Sequence, residues 1–185
     1  MEKIKKKVLV LGSSGMLGHV LTDFLKNDNS FTVYNLSKEK KINDETIICD
    51  VLNLNHLEKI INEIQPDYII NSIGILIKGS LNNPKHAISI NSDLPHRLKE
   101  IAEKNSSSVF HLSTDCVFDG SEGGYSEESI KTPIDTYGKT KAHGEIISKN
   151  HLTIRTSIIG PELKDNGDGL FCWLIKKIWI HMAYS

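Results

Sequence analysis

The sequence predicts an α/β fold, a doubly wound parallel sheet with helices on both faces. Three observations carry that expectation. Short apolar runs alternate with segments of helical period. A glycine-rich turn, Gly12-Ser13-Ser14-Gly15-Met16-Leu17-Gly18, directly follows the first apolar run. Later runs end in small polar residues, Asn71-Ser72 and Ser113-Thr114-Asp115, where the carboxyl ends of parallel strands border a ligand crevice. Strands separated by helices pair in parallel, and such a sheet is covered on both faces.

The elements follow in order. Lys7–Leu11 reads as a buried strand, preceded by a solvated basic start at Lys3, Lys5, Lys6 and Lys7. The glycine turn then opens a helix that runs to about Asn27. Phe31–Leu36 is a second strand, rich in β-branched and aromatic residues, and Thr46–Cys49 a third, ending at Asp50. Leu54, Leu57, Ile60, Ile61 and Ile64 fall on one helix face, and Pro66 marks the exit. Tyr68–Asn71 is the fourth strand. A long helix across about Ala87–Asn105 follows, with Leu94, Leu98 and Ile101 on one face. Val109–Ser113 is the fifth strand, Tyr137–Asn150 a helix and Leu152–Arg155 the sixth strand. A loop and one apolar helix, about Leu170–Ile180, complete the chain and hold Trp173 and Trp179.

Composition narrows the function classes. The 185 residues suit one domain, or one domain with a fragment of another. A formal net charge of −1 gives no electrostatic case for nucleic acid or an anionic membrane. No apolar run has the length of a membrane span, and Val8–Leu11 is too short for a signal peptide. Cys49, Cys116 and Cys172 are odd in number and widely spaced, as reduced thiols of a cytoplasmic protein would be. The eight histidines lack metal-ligand spacing, so no metal is expected.

Candidate site residues lie at the strand ends. In the glycine turn, Gly12 permits a tight bend, Gly15 lets phosphate approach the backbone, and Gly18 allows close helix–strand packing. Ser14, Met16 and Leu17 lie where a helix N-terminus offers free N–H groups to pyrophosphate. The segment after the second strand, Tyr34-Asn35-Leu36-Ser37-Lys38, has no acid until Glu39. Ser37 and Lys38 therefore suit a ribose 2′-phosphate, which favours NADPH, with NADH the alternative. Asp50, with Val51, is placed to bond an adenine amino group, or to serve as a helix N-terminal acid. Asn71, Ser72 and Ile73 would let a cofactor ribose lie against backbone.

Tyr137 and Lys141 stand four residues apart at a helix start, on one helix face. A cation there would lower the phenol pKa and fit it for proton exchange with a substrate oxygen. Thr114, at the end of the fifth strand, faces the same crevice and can orient a carbonyl. Taken alone, Ser-Thr-Asp is as well read as a turn or helix cap. A Cys116–His111 nucleophile pair is disfavoured, because the two residues straddle a strand end and face different ways.

The ordered set of Gly-x-x-Gly-x-x-Gly, strand-end Asn71, Ser113-Thr114-Asp115-x-Val117-Phe118 and Tyr137-x-x-x-Lys141 resembles the extended short-chain dehydrogenase/reductases. With Tyr-Gly-Lys-Thr-Lys and Arg155-Thr156-Ser157, it is similar within them to the dTDP-4-dehydrorhamnose reductase group, over about residues 6–163. The resemblance implies a Rossmann-type NAD(P)-binding domain over residues 1–160. It implies reduction of a nucleotide-linked 4-keto-6-deoxysugar that feeds surface polysaccharide. It implies Tyr137 as proton donor, Lys141 as the group that tunes it and bonds the nicotinamide ribose, and Thr114 as orienter of the keto oxygen. Asp115 would lie on the substrate side, and Asn91 would match a structural or proton-relay asparagine. The rhamnose-forming enzymes carry tryptophan directly after Arg-Thr-Ser. Here it is Ile158, which admits a related deoxysugar. Family members continue well past this length, so the substrate lobe is expected to be largely missing, with 161–185 a remnant of it or an aberrant tail. A dinucleotide-binding module without turnover, and an epimerase or dehydratase relative, remain alternatives. Homo-oligomerisation stays open.

Overall fold

The computed structural model describes residues 4–164, 167 and 169–183, with side chains through residue 178. Lys3, Ser185 and the Trp179 side chain lie outside the described residues. Six parallel strands form one sheet: β1 (Lys6–Leu11), β2 (Phe31–Ser37), β3 (Ile47–Ile48), β4 (Tyr68–Asn71), β5 (Ser108–Ser113) and β6 (Leu152–Arg155). Their order across the sheet is β3-β2-β1-β4-β5-β6. The chain therefore reverses direction across the sheet between β1 and β4, and a crevice opens above those two strand ends. This is the Rossmann-like α/β fold that the sequence predicts.

Burial explains the strands. Val8, Leu9, Val10 and Leu11 are all buried, because both faces of β1 are covered. On one face Leu9, Leu11, Leu36, Ile69 and Val109 meet Leu57 and Ile61 from α2 (Leu54–Ile64) and Leu98 and Ile101 from α5 (Leu94–Lys104). α1 (Met16–Lys26) packs on β1 and β2. Asn53 caps α2, its side chain accepting from His56 N.

Four elements differ from expectation. β3 shrinks to two residues because the Thr46 hydroxyl accepts the Ile42 and Asn43 N–H groups and holds Thr46 in a turn. A short helix that the apolar pattern does not announce, α3 (Ile77–Asn82), precedes α4 (Pro84–Ala87). The long helix exists, but α4 passes through a π-helical segment, Ile88–Asp93, before continuing as α5. The helix expected over Tyr137–Asn150 stops early. α6 spans Thr136–His143, and Gly144 lies so close to the π segment that a Cβ there would fall 1.8 Å from the Asn91 carbonyl oxygen. Ile146 then bonds the Thr153 hydroxyl through both its N–H and its C=O, which leads the chain into β6. α7 (Leu170–Ala183) forms the final helix, with Leu170, Trp173 and Leu174 exposed.

Candidate active site

The glycine turn sits where the chain reverses. Gly12 has φ +79°, a backbone that favours glycine, and its N–H, like that of Ser13, donates to the Leu36 carbonyl. A Cβ on Gly18 would fall 2.1 Å from the Gly12 oxygen, so only glycine lets α1 lie this close to the turn. The Ser72 hydroxyl donates to the Leu11 carbonyl at 2.5 Å, joining the ends of β1 and β4. Gly15 caps α1 without a side-chain hydrogen bond, and no acid occupies the first turn. Free N–H groups and the positive dipole end therefore face the crevice beside Ser14, Met16 and Leu17. This cradle fits a dinucleotide pyrophosphate.

The adenosine side is less open than expected. Ser37 is buried, and its hydroxyl donates to the Lys40 carbonyl at 2.5 Å, so it is turned away from any ribose. Lys38 is exposed and pairs with Asp50 at 3.0 Å. The Asp50 carboxyl lies below its ordinary range, through the Leu52 N–H first and Lys38 second. Lys38 and Asp50 thus come together, each holding the other. Val51 is a core residue. Asn71 is also fully buried. Its side chain bonds Ile73 N–H and the His111 ring, leaving Ser72 and Ile73 as the residues at the β4 end that border Gly12.

The catalytic candidates converge at the end of β5. Asp135 caps α6, accepting from Gly138 N at 2.7 Å, and this starts the helix one residue before Tyr137. Tyr137 and Lys141 then share a face directed at β5. Lys141 Nζ donates to the Leu112 carbonyl at 2.5 Å and lies 3.5 Å from His111 Nε2. A Cβ on Gly74, past the end of β4, would sit 4.0 Å from the same Nζ. Thr114 is buried, near enough to the Tyr137 phenol to favour its ionised form. It also accepts from Cys116 N and donates to Asp115 Oδ1, so the cap reading and the site reading hold together. The exposed Asp115 receives the Ser157 hydroxyl at 2.5 Å, the main reason its carboxyl is held low. Ile158 follows on the exposed side.

The expected depression of the tyrosine pKa is not found. Burial raises the Tyr137 phenol, the Thr114 hydrogen bond opposes this, and the charges of Cys116 and Asp115 add to the rise. The Lys141 ammonium donates to the Leu112 carbonyl and is not among the groups that shift Tyr137. Lys141 itself is 3% exposed, and burial lowers it to about 8 against the charge of Glu145. The Cys116–His111 pairing is absent from the described contacts. His111 is enclosed between Asn71 and Lys141, while the Cys116 thiol faces Asp115.

One buried group was not read from the sequence. Glu145 lies just past α6, accepting from Ser113 Oγ at 2.8 Å, Arg155 Nε at 2.8 Å, Arg155 Nη2 at 2.9 Å and Lys131 Nζ at 3.1 Å. Arg155 also lies over the Phe118 ring, which stacks on Tyr125. The i,i+4 spacing of Lys141 and Glu145 is the one local signal, and it carries no sign of burial. Asn91, in the π segment, bonds Ile75 N–H, Ile75 C=O and the Thr140 hydroxyl, which ties α6 to the end of β4.

Comparison with known proteins bears on this geometry. The family described as the RmlD substrate binding domain matches residues 6–172. A dTDP-4-dehydrorhamnose reductase of Aggregatibacter actinomycetemcomitans is 31% identical over 166 residues, covering 86% of this chain and 54% of that protein. Methionine adenosyltransferase 2 subunit beta of Pongo abelii is 30% identical over 141 residues, covering 76% of this chain and 42% of its own. A solved structure named as a hypothetical dTDP-4-dehydrorhamnose reductase from Sulfolobus tokodaii superposes with TM-score 0.75 at 30% identity, over 80% of this chain and 55% of that one. The chain spans about half the length of the curated relatives it matches.

Proposed function

The chain belongs to the RmlD substrate binding domain family, and from that membership we propose that it reduces a nucleotide-linked 4-keto-6-deoxysugar with NADPH. The substrate assigned is dTDP-4-dehydrorhamnose, with residues 1–160 as the cofactor-binding domain. The observation that carries the reading is the meeting of Thr114, Tyr137 and Lys141 at the end of β5, beside the glycine turn. The dTDP-4-dehydrorhamnose reductase of Aggregatibacter supports the substrate class, and a Bacillus anthracis enzyme of that name was solved in complex with NADP.

The residues have separate roles. The N–H groups at the start of α1, at Met16 and Leu17, hold the pyrophosphate, and Lys38 exchanges Asp50 for the 2′-phosphate. When bound, the nicotinamide supplies hydride, which is the cofactor's own chemistry. Thr114 turns its one hydroxyl proton from Asp115 Oδ1 to the keto oxygen and fixes its direction. Tyr137, held as a neutral phenol by burial, gives its proton to that oxygen as charge develops there. Lys141, with an acidity greater than the phenol's, restores the proton.

Tyr137→Phe tests the assignment. It keeps NADPH binding and lowers sugar reduction roughly 100- to 10,000-fold, the range of a lost general acid. Turnover within a few fold of the unsubstituted protein would overturn it. A second reading, dinucleotide binding without turnover, is favoured by the match to a protein named as a subunit of another enzyme. It predicts NADPH binding with no reduction in either form.

A further inference from the structure

The buried polar chain behind the site has a direction that its own hydrogen bonds determine. Asn71 Oδ1 accepts from Ile73 N at 3.2 Å, which fixes which end of the amide is oxygen. The amide nitrogen, a donor, therefore faces His111 Nδ1 at 3.1 Å. Nδ1 must accept, so the ring hydrogen of a neutral imidazole resides on Nε2. Nε2 in turn faces Lys141 Nζ at 3.5 Å. Two donors thus oppose each other across that contact. The ammonium donates instead to the Leu112 carbonyl, at 2.5 Å. Gly74 and the Asn91 amide oxygen lie on its other side.

We propose that Asn71 and His111 are positioning residues that present Lys141 with an N–H donor, keeping its ammonium from bonding the imidazole and leaving it to the Leu112 carbonyl near the crevice end of β5. This rests on the reading of Lys141 as the lysine that serves cofactor and tyrosine. His111 occupies a core position two residues beyond Val109 on β5, where an apolar side chain would fill the space without a polar group to satisfy. A direct acceptor at this point would bind the ammonium, raise its proton affinity and hold it away from the site. A donor does the reverse. Burial and the charge of Lys141 keep His111 at about 3, so the ring stays neutral with one donor and one acceptor. The ionisable groups acting on the imidazole are Lys141 on α6, Glu145 beyond it and His96 on α5; the one acting on Lys141 is Glu145.

Nitrogen-15 spectra of the histidine rings in the free protein test the tautomer with no variant needed beyond His111→Leu for assignment. The expected result is hydrogen on Nε2 at neutral pH; hydrogen on Nδ1 overturns the proposal. Asn71→Asp replaces the donor with an acceptor, so it moves the hydrogen to Nδ1 and gives Lys141 a lone pair. The Lys141 midpoint, read by carbon-13 at its Cε, then rises by about one pH unit, as a new favourable partner produces. That rise disappears in Asn71→Asp/His111→Leu. No rise, or a rise that survives loss of the imidazole and so comes from the new charge directly, overturns the proposal. A histidine that only fills the core would leave the Lys141 midpoint where it was. Both measurements precede any turnover, so failure to reduce a sugar would count against the functional proposal and leave this one standing.

Discussion

Lys141 and Glu145 lie one helical turn apart in sequence and meet opposite demands. Burial lowers the lysine to about 8. Burial alone would raise the glutamate, yet hydrogen bonds from Arg155, Ser113 and Lys131 overcome it and hold the carboxyl at about 2. Its side chain is only 3% exposed, so loss of the charge leaves Arg155 and Lys131 without their shared partner. Glu145→Gln should cost about 3 kcal/mol, the lower end for breaking a buried pair, since Arg155 and Lys131 keep partial access to water. Denaturant unfolding measures it, and a loss under about 1 kcal/mol would contradict the role given to this carboxylate. The pH dependence has a definite sign. The folded carboxyl lies below its ordinary 4.5, so the stabilisation is complete above that pH and declines as pH falls toward about 2. Glu145→Gln should flatten the acid limb across that window. Tyr137 and Lys141 were legible in sequence because their chemistry and their spacing are local. The direction of the tyrosine shift was not, because it depends on how deeply the phenol is buried and on acids brought near it from other elements, such as Asp115. Glu145 takes its partners from positions 113, 131 and 155, which no local pattern connects.

At the scale of elements, the site depends on how α6 meets the π segment. The Ser92 hydroxyl donates to the Thr140 carbonyl and the Asn91 amide to the Thr140 hydroxyl. Gly144 completes the contact, since any Cβ there would overlap Asn91 O. Gly144→Ala should therefore push α6 outward and destabilise the fold by about 1 to 3 kcal/mol, as overpacking does. It should also weaken catalysis more than cofactor binding, because Tyr137 moves while the glycine turn does not. Equal loss of both would indicate general unfolding instead. Sequence periodicity found this region as helix on both sides, at about Ala87–Asn105 and Tyr137–Asn150. It missed the π segment and the early end of α6. A π turn adds a residue to the turn without altering composition, and Gly144 reads as a helix stop only when Asn91 is known to lie against it.

Across the whole molecule, the strand order β3-β2-β1-β4-β5-β6 places the glycine turn and the Thr114–Tyr137–Lys141 group on the same rim of the sheet. The parallel, doubly wound sheet was legible because strands alternate with helices, but the order of its strands was not read from the sequence. The crevice between them couples cofactor binding to global stability, since a ligand that binds only the folded chain stabilises it by mass action. NADPH at one hundred times its dissociation constant should add about 2.7 kcal/mol. For a chain of this size that raises Tm by roughly 5–10 °C. Gly15 offers the control. Its backbone is extended, with φ −79° and ψ 171°, which any residue adopts, and an added Cβ would meet only the Gly12 oxygen, at 3.2 Å. Gly15→Ala should thus fold with nearly unchanged Tm, yet place a methyl group where the phosphate must approach. Its Tm should rise by less than half as much at the same NADPH concentration. NADH should stabilise the unsubstituted protein less than NADPH does, because Lys38 then keeps Asp50 as its partner and gains no phosphate. Lys38→Ala should erase that difference while leaving the response to NADH intact. An equal response to the two cofactors before substitution would remove Lys38 from the binding scheme, and no response to either would remove the crevice itself.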